Sequence, residues 1–290
     1  MATGTITELW RYPVKSMRGE QISESEVTEA GVAGDRRYAV VDAETGKVGS
    51  AKHPRLWGRL LECEGRYVSP PAGTEPAPVA IALPDGTETG SRDPDVDAKL
   101  TTFLGRPVRL TTVAPEGNSY LAVWPDDVMP DEYLSQVKVA GEEAEGTLTA
   151  LTNAVAAPAG TFFDVAALHL ATRATLRHLE ESQPSGRFDV ARFRPNVVLD
   201  GGTAPFAEND WTGTTVQLGA EVSATVIIPT MRCIMITLPQ GDLPRDNAIL
   251  RTVSTLNRIE IQGLGRWSCV GAYAGVATGG RIAVGDGWSA

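Results

Sequence analysis

The side chain with the sharpest chemistry in this sequence is the thiol of Cys233, which directly follows Arg232 inside the run Ile227-Ile228-Pro229-Thr230-Met231-Arg232-Cys233-Ile234-Met235-Ile236-Thr237. A fixed guanidinium charge beside a thiol favours the thiolate, the form that attacks electrophiles and binds metals. The Val, Ile and Met residues on either side suit a buried strand, with Pro229 marking its start or a bulge. The same pattern also describes a thiol that only fills a core, the commonest fate of a free cysteine. On this stretch alone the core reading leads, and the rest of the chain has to decide.

Basic residues gather elsewhere in short clusters. Tyr12-Pro13-Val14-Lys15-Ser16-Met17-Arg18-Gly19 sets two cations and a hydroxyl beside a glycine, a turn whose donors suit an anion. Gly31 and Gly34 lead into Arg36 and Arg37, and Lys52 and Arg55 stand in Ser50-Ala51-Lys52-His53-Pro54-Arg55. A further strand entry, Arg192-Phe193-Arg194-Pro195-Asn196, adds two more cations and an amide. If the clusters converge they form a pocket for a small polyanion, above all a phosphate, whose oxygens match guanidinium forks and main-chain N–H groups. If they do not, they are solvated faces.

These residues need elements to carry them. With 290 residues, 42% of them hydrophobic, and with Gly 30 and Pro 19, the chain suits a turn-rich β or α+β protein of two modules. Strands are expected over Thr5 to Tyr12, Glu24 to Glu29, Trp57 to Val68, Val108 to Val113, Thr214 to Leu218, Glu221 to Ile228 and Cys233 to Leu238. Two closing strands around a tight turn end the chain. Recurrence at this spacing points to a barrel or sandwich. Asp42 to Lys47 reads as a hairpin turn. Asp93 to Gly105, a stretch from about Ala171 with Thr172 as cap, and Leu243 to Val253 read as amphipathic helices. Ala114 to Gly160 shows no sustained period, and its part from Tyr120 to Tyr133 is expected to border a site.

A net charge of −10 argues against nonspecific nucleic-acid binding and against adhesion to anionic membranes. Cys63, Cys233 and Cys269 are an odd set without a CxxC pair, which fits neither a disulfide framework nor a zinc or iron–sulfur cluster. His53, His169 and His178 lack ligand spacing; His169 reads as a satisfied core residue and His178 as a surface one. The start of the chain lacks the basic and apolar regions of a signal peptide, and no apolar run reaches the roughly 20 residues of a membrane span. A cytoplasmic setting is expected.

Taken in order, Tyr12-Pro13-Val14-Lys15-Ser16, Gly34-Asp35-Arg36, Phe193-Arg194-Pro195-Asn196, Phe206-Ala207-Glu208 with Trp211, Arg232-Cys233, Gly271-Ala272-Tyr273 and Val284-Gly285-Asp286 resemble the MOSC-domain family. Within it they are similar to two-part proteins with an N-terminal MOSC β-barrel region, such as the mitochondrial amidoxime-reducing components and their bacterial counterparts. The resemblance implies a mainly β fold with some α, a MOSC-type β-barrel plus a smaller N-terminal α/β region, divided as 1–118 and 119–290.

It also implies a molybdenum–molybdopterin cofactor. Cys233 would ligate the metal and act as the catalytic residue. Lys15, Ser16 and Arg36 would hold the cofactor, chiefly its phosphate; Arg194 and Asn196 would meet the pterin side, and Arg232 and Tyr273 would complete the pocket. The implied activity is that of a molybdenum-dependent oxidoreductase reducing N-hydroxylated or related N–O compounds. The substrate would be a small molecule, with electrons from a separate reductase or ferredoxin-like protein and no nucleic-acid or membrane partner. A cofactor carrier or a sulfur-transfer protein with a Cys233 persulfide is the alternative. The family is also associated with pyridoxal phosphate binding, an association of the family alone. Asp164-Val165-Ala166-Ala167 stands where the amidoxime reducers have a hydroxyl-rich segment. Glu208, Asp210 and the acids of the 114–160 segment are the candidates for delivering a proton.

Overall fold

The structure is a computed structural model that describes residues 2–72, 76–114, 119–124, 147–152 and 157–290. Its centre is a closed seven-stranded β-barrel. Around the barrel the strands run Leu168–Thr172, Val197–Gly201, Thr3–Arg11, Gly287–Ser289, Thr215–Leu218, Val222–Met231 and Gly265–Thr278, and the last pairs back onto the first. The seven strands of the ring are each paired on both sides, while Glu20–Ile22 and Arg258–Ile261 extend the sheet beyond it. The interior is filled by Ile6, Leu9, Leu168, Leu170, Val197, Leu199, Val216, Leu218 and Ala272, each fully buried.

One barrel strand comes from the far end of the chain. Thr3–Arg11 lies between Val197–Gly201 and Gly287–Ser289, antiparallel to both. Its exit therefore delivers Tyr12 to Ser16 to the end of a barrel built otherwise from residues beyond 167. Leu168–Thr172 and Val197–Gly201 are parallel, and such a pair needs a crossover. Helix Arg173–Ser182 supplies it, capped as the sequence suggests by the Thr172 side chain, which accepts from the Thr175 N–H.

The smaller N-terminal region packs small sheets against helix Val96–Leu104. Ala39–Asp42 pairs with Val108–Thr111, and Glu64–Tyr67, Val79–Ala82 and Glu88–Gly90 form a second sheet. Val14, Met17, Val40, Leu60, Val79, Ile81 and Leu100 make its core. The helix stops at Gly105 in the left-handed conformation, as its composition predicts.

Several expectations are corrected. Trp57 to Val68 is not one strand: Pro54–Trp57 is helical, Gly58–Glu62 is a 3-10 turn, and the strand is confined to Glu64–Tyr67. Pro54 at the first helical position starts that helix. The helix expected from Leu243 begins only at Ala248. Gly280–Ala283 does not pair with the strand before it but with Glu24–Thr28. The run around Cys233 is also divided: the strand ends at Met231, and Ile234–Thr237 is a 3-10 turn with Cys233 at its start. Around Pro229 the ladder shows the register shifts that a strand proline brings.

Within 114–160, Ser119–Trp124 and Thr147–Thr152 form an antiparallel pair. The expectation that Tyr120 to Tyr133 borders a site falls, apart from Leu121 and the buried Ala122, on side chains outside the described residues. Among the described residues, no helix is long and apolar enough to cross a membrane.

A close approach in the barrel tests this packing. Gly271 has φ +80°, and a Cβ there would lie 2.4 Å from the Leu170 carbonyl oxygen and 2.5 Å from His169 Nε2. Gly271→Ala is expected to lose at least about 2 kcal/mol in urea denaturation, because left-handed strain and a backbone clash add. A loss under about 0.5 kcal/mol, within the ordinary range for a harmless substitution, would show that the strands do not approach this tightly.

Candidate functional site

Where the N-terminal region meets the end of the barrel, the chain leaves a cavity of about 90 Å³. Lys15 and Ser16 reach it from the exit of the first strand, and Arg36 from the turn after Gly34. Arg194 comes from the end of the short helix Val190–Phe193, and Met231, Arg232 and Cys233 from the end of a barrel strand. His169 and Tyr273 come from paired barrel positions. Three of the four non-glycine residues with positive φ among the described residues, Ser16, Arg36 and Arg194, line it. Such conformations cost about 1–3 kcal/mol each and persist where the surroundings enforce them, often at functional sites.

The charge of the lining is lopsided. Among the described residues it has six basic side chains, Lys15, Arg36, Lys52, Arg192, Arg194 and Arg232, against the one carboxylate of Asp164. The first three come from the three N-terminal basic clusters, which therefore converge.

Lys15 donates to the Phe162 carbonyl at 2.8 Å and to Asp164, whose other carboxylate oxygen lies 3.0 Å from Lys52 Nζ. Burial disfavours the Lys15 ammonium and lowers its pKa to about 8, although Asp164 pulls the other way. Burial alone would raise the Asp164 pKa, but Lys15 and Lys52 outweigh it and hold the carboxyl well below the usual range.

The arginines are held differently. Arg194 donates to the Met17 carbonyl at 2.7 Å, and Arg232 to the Phe193 carbonyl at 2.7 Å. Burial brings the Arg194 pKa down to about 10, with Arg36 adding like-charge repulsion. Arg232 is lowered as well, by burial first. Among the described residues its Nε is buried with no hydrogen-bond partner. The Tyr12 ring lies between Arg36 and Arg194, whose guanidinium carbons stand 4.7 and 4.3 Å from its centroid. Arg36 also pairs with Asp35, which accepts from the Tyr12 N–H at 2.6 Å and from Asn196 Nδ2 at 2.8 Å.

Of the residues singled out from sequence, Lys15, Ser16, Arg36, Arg194, Arg232, Cys233 and Tyr273 line the cavity. Asn196 is not among the lining residues. It donates to Asp35 and to the Trp10 carbonyl and accepts from the His169 N–H, so it sits behind the wall and ties its parts together. Cys233 is 8% exposed, whereas Cys63 and Cys269 are fully buried and burial pushes each thiol up to about 12.

Lys52, Asp164, His169 and Arg192 also belong to the lining. Lys52 carried a signal, its basic cluster, and Arg192 stood beside the Arg194 motif; Asp164 was marked only through the resemblance, as part of the segment that replaces a hydroxyl-rich one, and His169 carried no signal pointing here. His169 lies between the Arg194 and Val270 carbonyls, at 3.2 and 3.3 Å from its two ring nitrogens. Burial, then Arg232, lowers its pKa to about 3, so a neutral ring donates to one of them. Glu208 is not at the cavity. Its buried carboxylate accepts from the Thr172 N–H and from the Thr172 and Thr175 hydroxyls. Asp210 is exposed.

An anion is the natural occupant of such a lining, and Lys15 gives its affinity a pH dependence. The ammonium is charged below about pH 8 and is lost as pH rises through that value. Sulfate, which stays doubly charged throughout, is expected to bind progressively more weakly above pH 8 in calorimetric titrations, by up to about tenfold per pH unit if one proton is linked. Lys15→Met should weaken binding at pH 7 and flatten this profile; an unchanged profile would remove Lys15 from the anion's surroundings.

Residues 3–101 match the family described as MOSC N-terminal beta barrel domain, and residues 158–288 match the MOSC domain family. The mitochondrial amidoxime reducing component 2 of Rattus norvegicus is 25% identical over 81% of this chain and 67% of its own length. The mitochondrial amidoxime-reducing component 1 of Homo sapiens is 25% identical over 98% of this chain and 82% of its own. The YUAD protein of Bacillus subtilis, a solved structure, aligns with 99% of this chain and 97% of its own at 10% identity, with a TM-score of 0.43. The chain belongs to the MOSC-domain family, as a two-part member with an N-terminal MOSC region.

Proposed function

We propose that the cavity holds a molybdenum–molybdopterin cofactor with Cys233 as the protein's metal ligand, and that the protein reduces N-hydroxylated or related N–O compounds. The observation that carries the reading is one thiol facing the same recess as six basic side chains. The recess suits a ligand with an anionic group and a thiophilic metal. Arg232 Nε, buried without a partner among the described residues, has a donor to offer such an anion. Among the described residues no cluster of three or more His, Cys, Asp or Glu could hold a metal ion. A single thiolate anchors a metal when the remaining donors arrive with it, as a dithiolene provides.

The bound cofactor would supply two-electron oxygen-atom chemistry. The protein's part is binding, orientation and charge. Arg36, Arg194 and Arg232 would attract the cofactor's phosphate, and Ser16 would add a hydroxyl. Tyr273 and His169 would form a less charged wall. Lys15 and Lys52, fixed by Asp164, would carry the protons nearest to the site. The similarity to amidoxime-reducing components supports N–O reduction as the reaction class. Electrons would come from a separate reductase or ferredoxin-like protein, with the acidic chain docking a basic face of the donor in the cytoplasm.

The alternative reading is a cofactor carrier or a sulfur-transfer protein with a Cys233 persulfide. Metal analysis of protein expressed with molybdate, combined with turnover of an amidoxime by an artificial donor, separates the two. Stoichiometric molybdenum with turnover is expected, and Cys233→Ala is expected to lose at least about a hundredfold in rate. Full activity in that variant would remove Cys233 as ligand, and sulfur or cofactor transfer without turnover would favour the carrier.

A further inference from the structure

Arg192 is fully buried and stands just before the Phe193-Arg194-Pro195-Asn196 motif. Its guanidinium bonds to main-chain carbonyls. Nε donates to Arg187 at 2.8 Å, Nη1 to Ile236 at 3.1 Å and to Leu238 at 3.2 Å, and Nη2 to Pro244 at 2.7 Å. Of these acceptors Ile236 belongs to the turn that follows Cys233, and Leu238 caps its end. From the other side of the thiol, Arg232 donates to the Phe193 carbonyl at 2.7 Å. Each segment thus holds the other's backbone through an arginine.

We propose that Arg192 is a positioning residue for the Cys233 thiol, fixing its placement and exposure at the cavity through this reciprocal brace with Arg232. The chemistry favours arginine here because a planar fork of five N–H donors reaches carbonyls of three separate segments at once. An ammonium with three donors on one atom does not span them, and an uncharged amide leaves acceptors unmet. The inference concerns where the thiol is held and stands whether or not Cys233 ligates molybdenum.

Alkylation of the full chain, produced without added molybdate, reads this directly. Cys63 and Cys269 are sealed, with thiol pKa values pushed up to about 12, so modification by iodoacetamide followed by mass spectrometry of the Cys233 peptide isolates the relevant thiol. Arg192→Lys and Arg192→Gln are each expected to keep a native circular-dichroism spectrum and to raise the Cys233 alkylation rate by about tenfold or more, as the turn loosens. Val216→Ala, inside the barrel and absent from the cavity lining, should lower the melting temperature yet leave the rate within about twofold. A rate within twofold of the parent in either folded Arg192 variant would overturn the proposal. So would an equal rise in Val216→Ala, since general loosening would then explain the effect. If neither Arg192 variant folds, the residue serves the fold as a whole and the proposal fails. None of these outcomes depends on metal content, so they are distinct from failure of the cofactor reading.

Discussion

The site depends on three arginines whose positive charge is held by dipoles rather than by anions. Burying a guanidinium costs several kcal/mol unless its donors are met. Arg192 meets that need with main-chain carbonyls, Arg194 and Arg232 meet it in part in the same way, and none of them has a carboxylate within bonding distance among the described residues. A carbonyl satisfies an N–H without cancelling the charge behind it, so the field of these arginines persists into the cavity. Arg11 and Arg18, outside the lining, are paired instead with Glu20 and Glu64. The depressed pKa of Arg194 reflects the cost of the first arrangement, and a bound anion would offset it.

That arrangement constrains the fold, because carbonyls engaged by arginines are not engaged in ladders. Met17, Phe193, Ile236 and Leu238 all lie in or beside turns, and the strand through Val222–Met231 stops before the thiol rather than running past it. The other constraint is the path of the first strand. By entering the barrel between Val197–Gly201 and Gly287–Ser289, it places Tyr12 where both Arg36 and Arg194 lie against its ring. The Asp35 carboxylate then ties Tyr12, Arg36 and Asn196 together. The two matched family regions consequently share a sheet as well as a cavity.

Much of this was legible in the sequence, but for different reasons in different places. Basic clusters in an acidic chain, and a thiol following an arginine, identified most of the lining, because unusual residue types stand out locally. His169 did not stand out, since its placement follows from barrel closure, and Asp164 stood out only through the family resemblance and not through a local pattern. Asn196, part of a motif, lies behind the wall rather than on it. The apolar run through Cys233 reads as a strand because hydrophobicity reports burial and not hydrogen-bond partners. Arg192, some forty residues earlier in the sequence, captures the carbonyls that a neighbouring strand would otherwise use. Gly280–Ala283 was assigned its strand state correctly, but its partner lies over 250 residues away, beyond any local pattern.

The carboxylate inside an anion-attracting cavity has its own logic. Lys15 and Lys52 share Asp164 and together retain one net positive charge, whereas Arg192, Arg194 and Arg232 keep theirs in full. The two parts of the lining therefore differ in kind. The arginines draw formal negative charge. The Lys15–Asp164–Lys52 group offers donors and acceptors side by side, which suits a neutral heterocycle more than a phosphate. A ligand with a charged end and a hydrogen-bonding body would be turned one way by this difference. Its orientation would then be set by the lining itself rather than by the snugness of the cavity, and only one end of it would be brought toward the thiol.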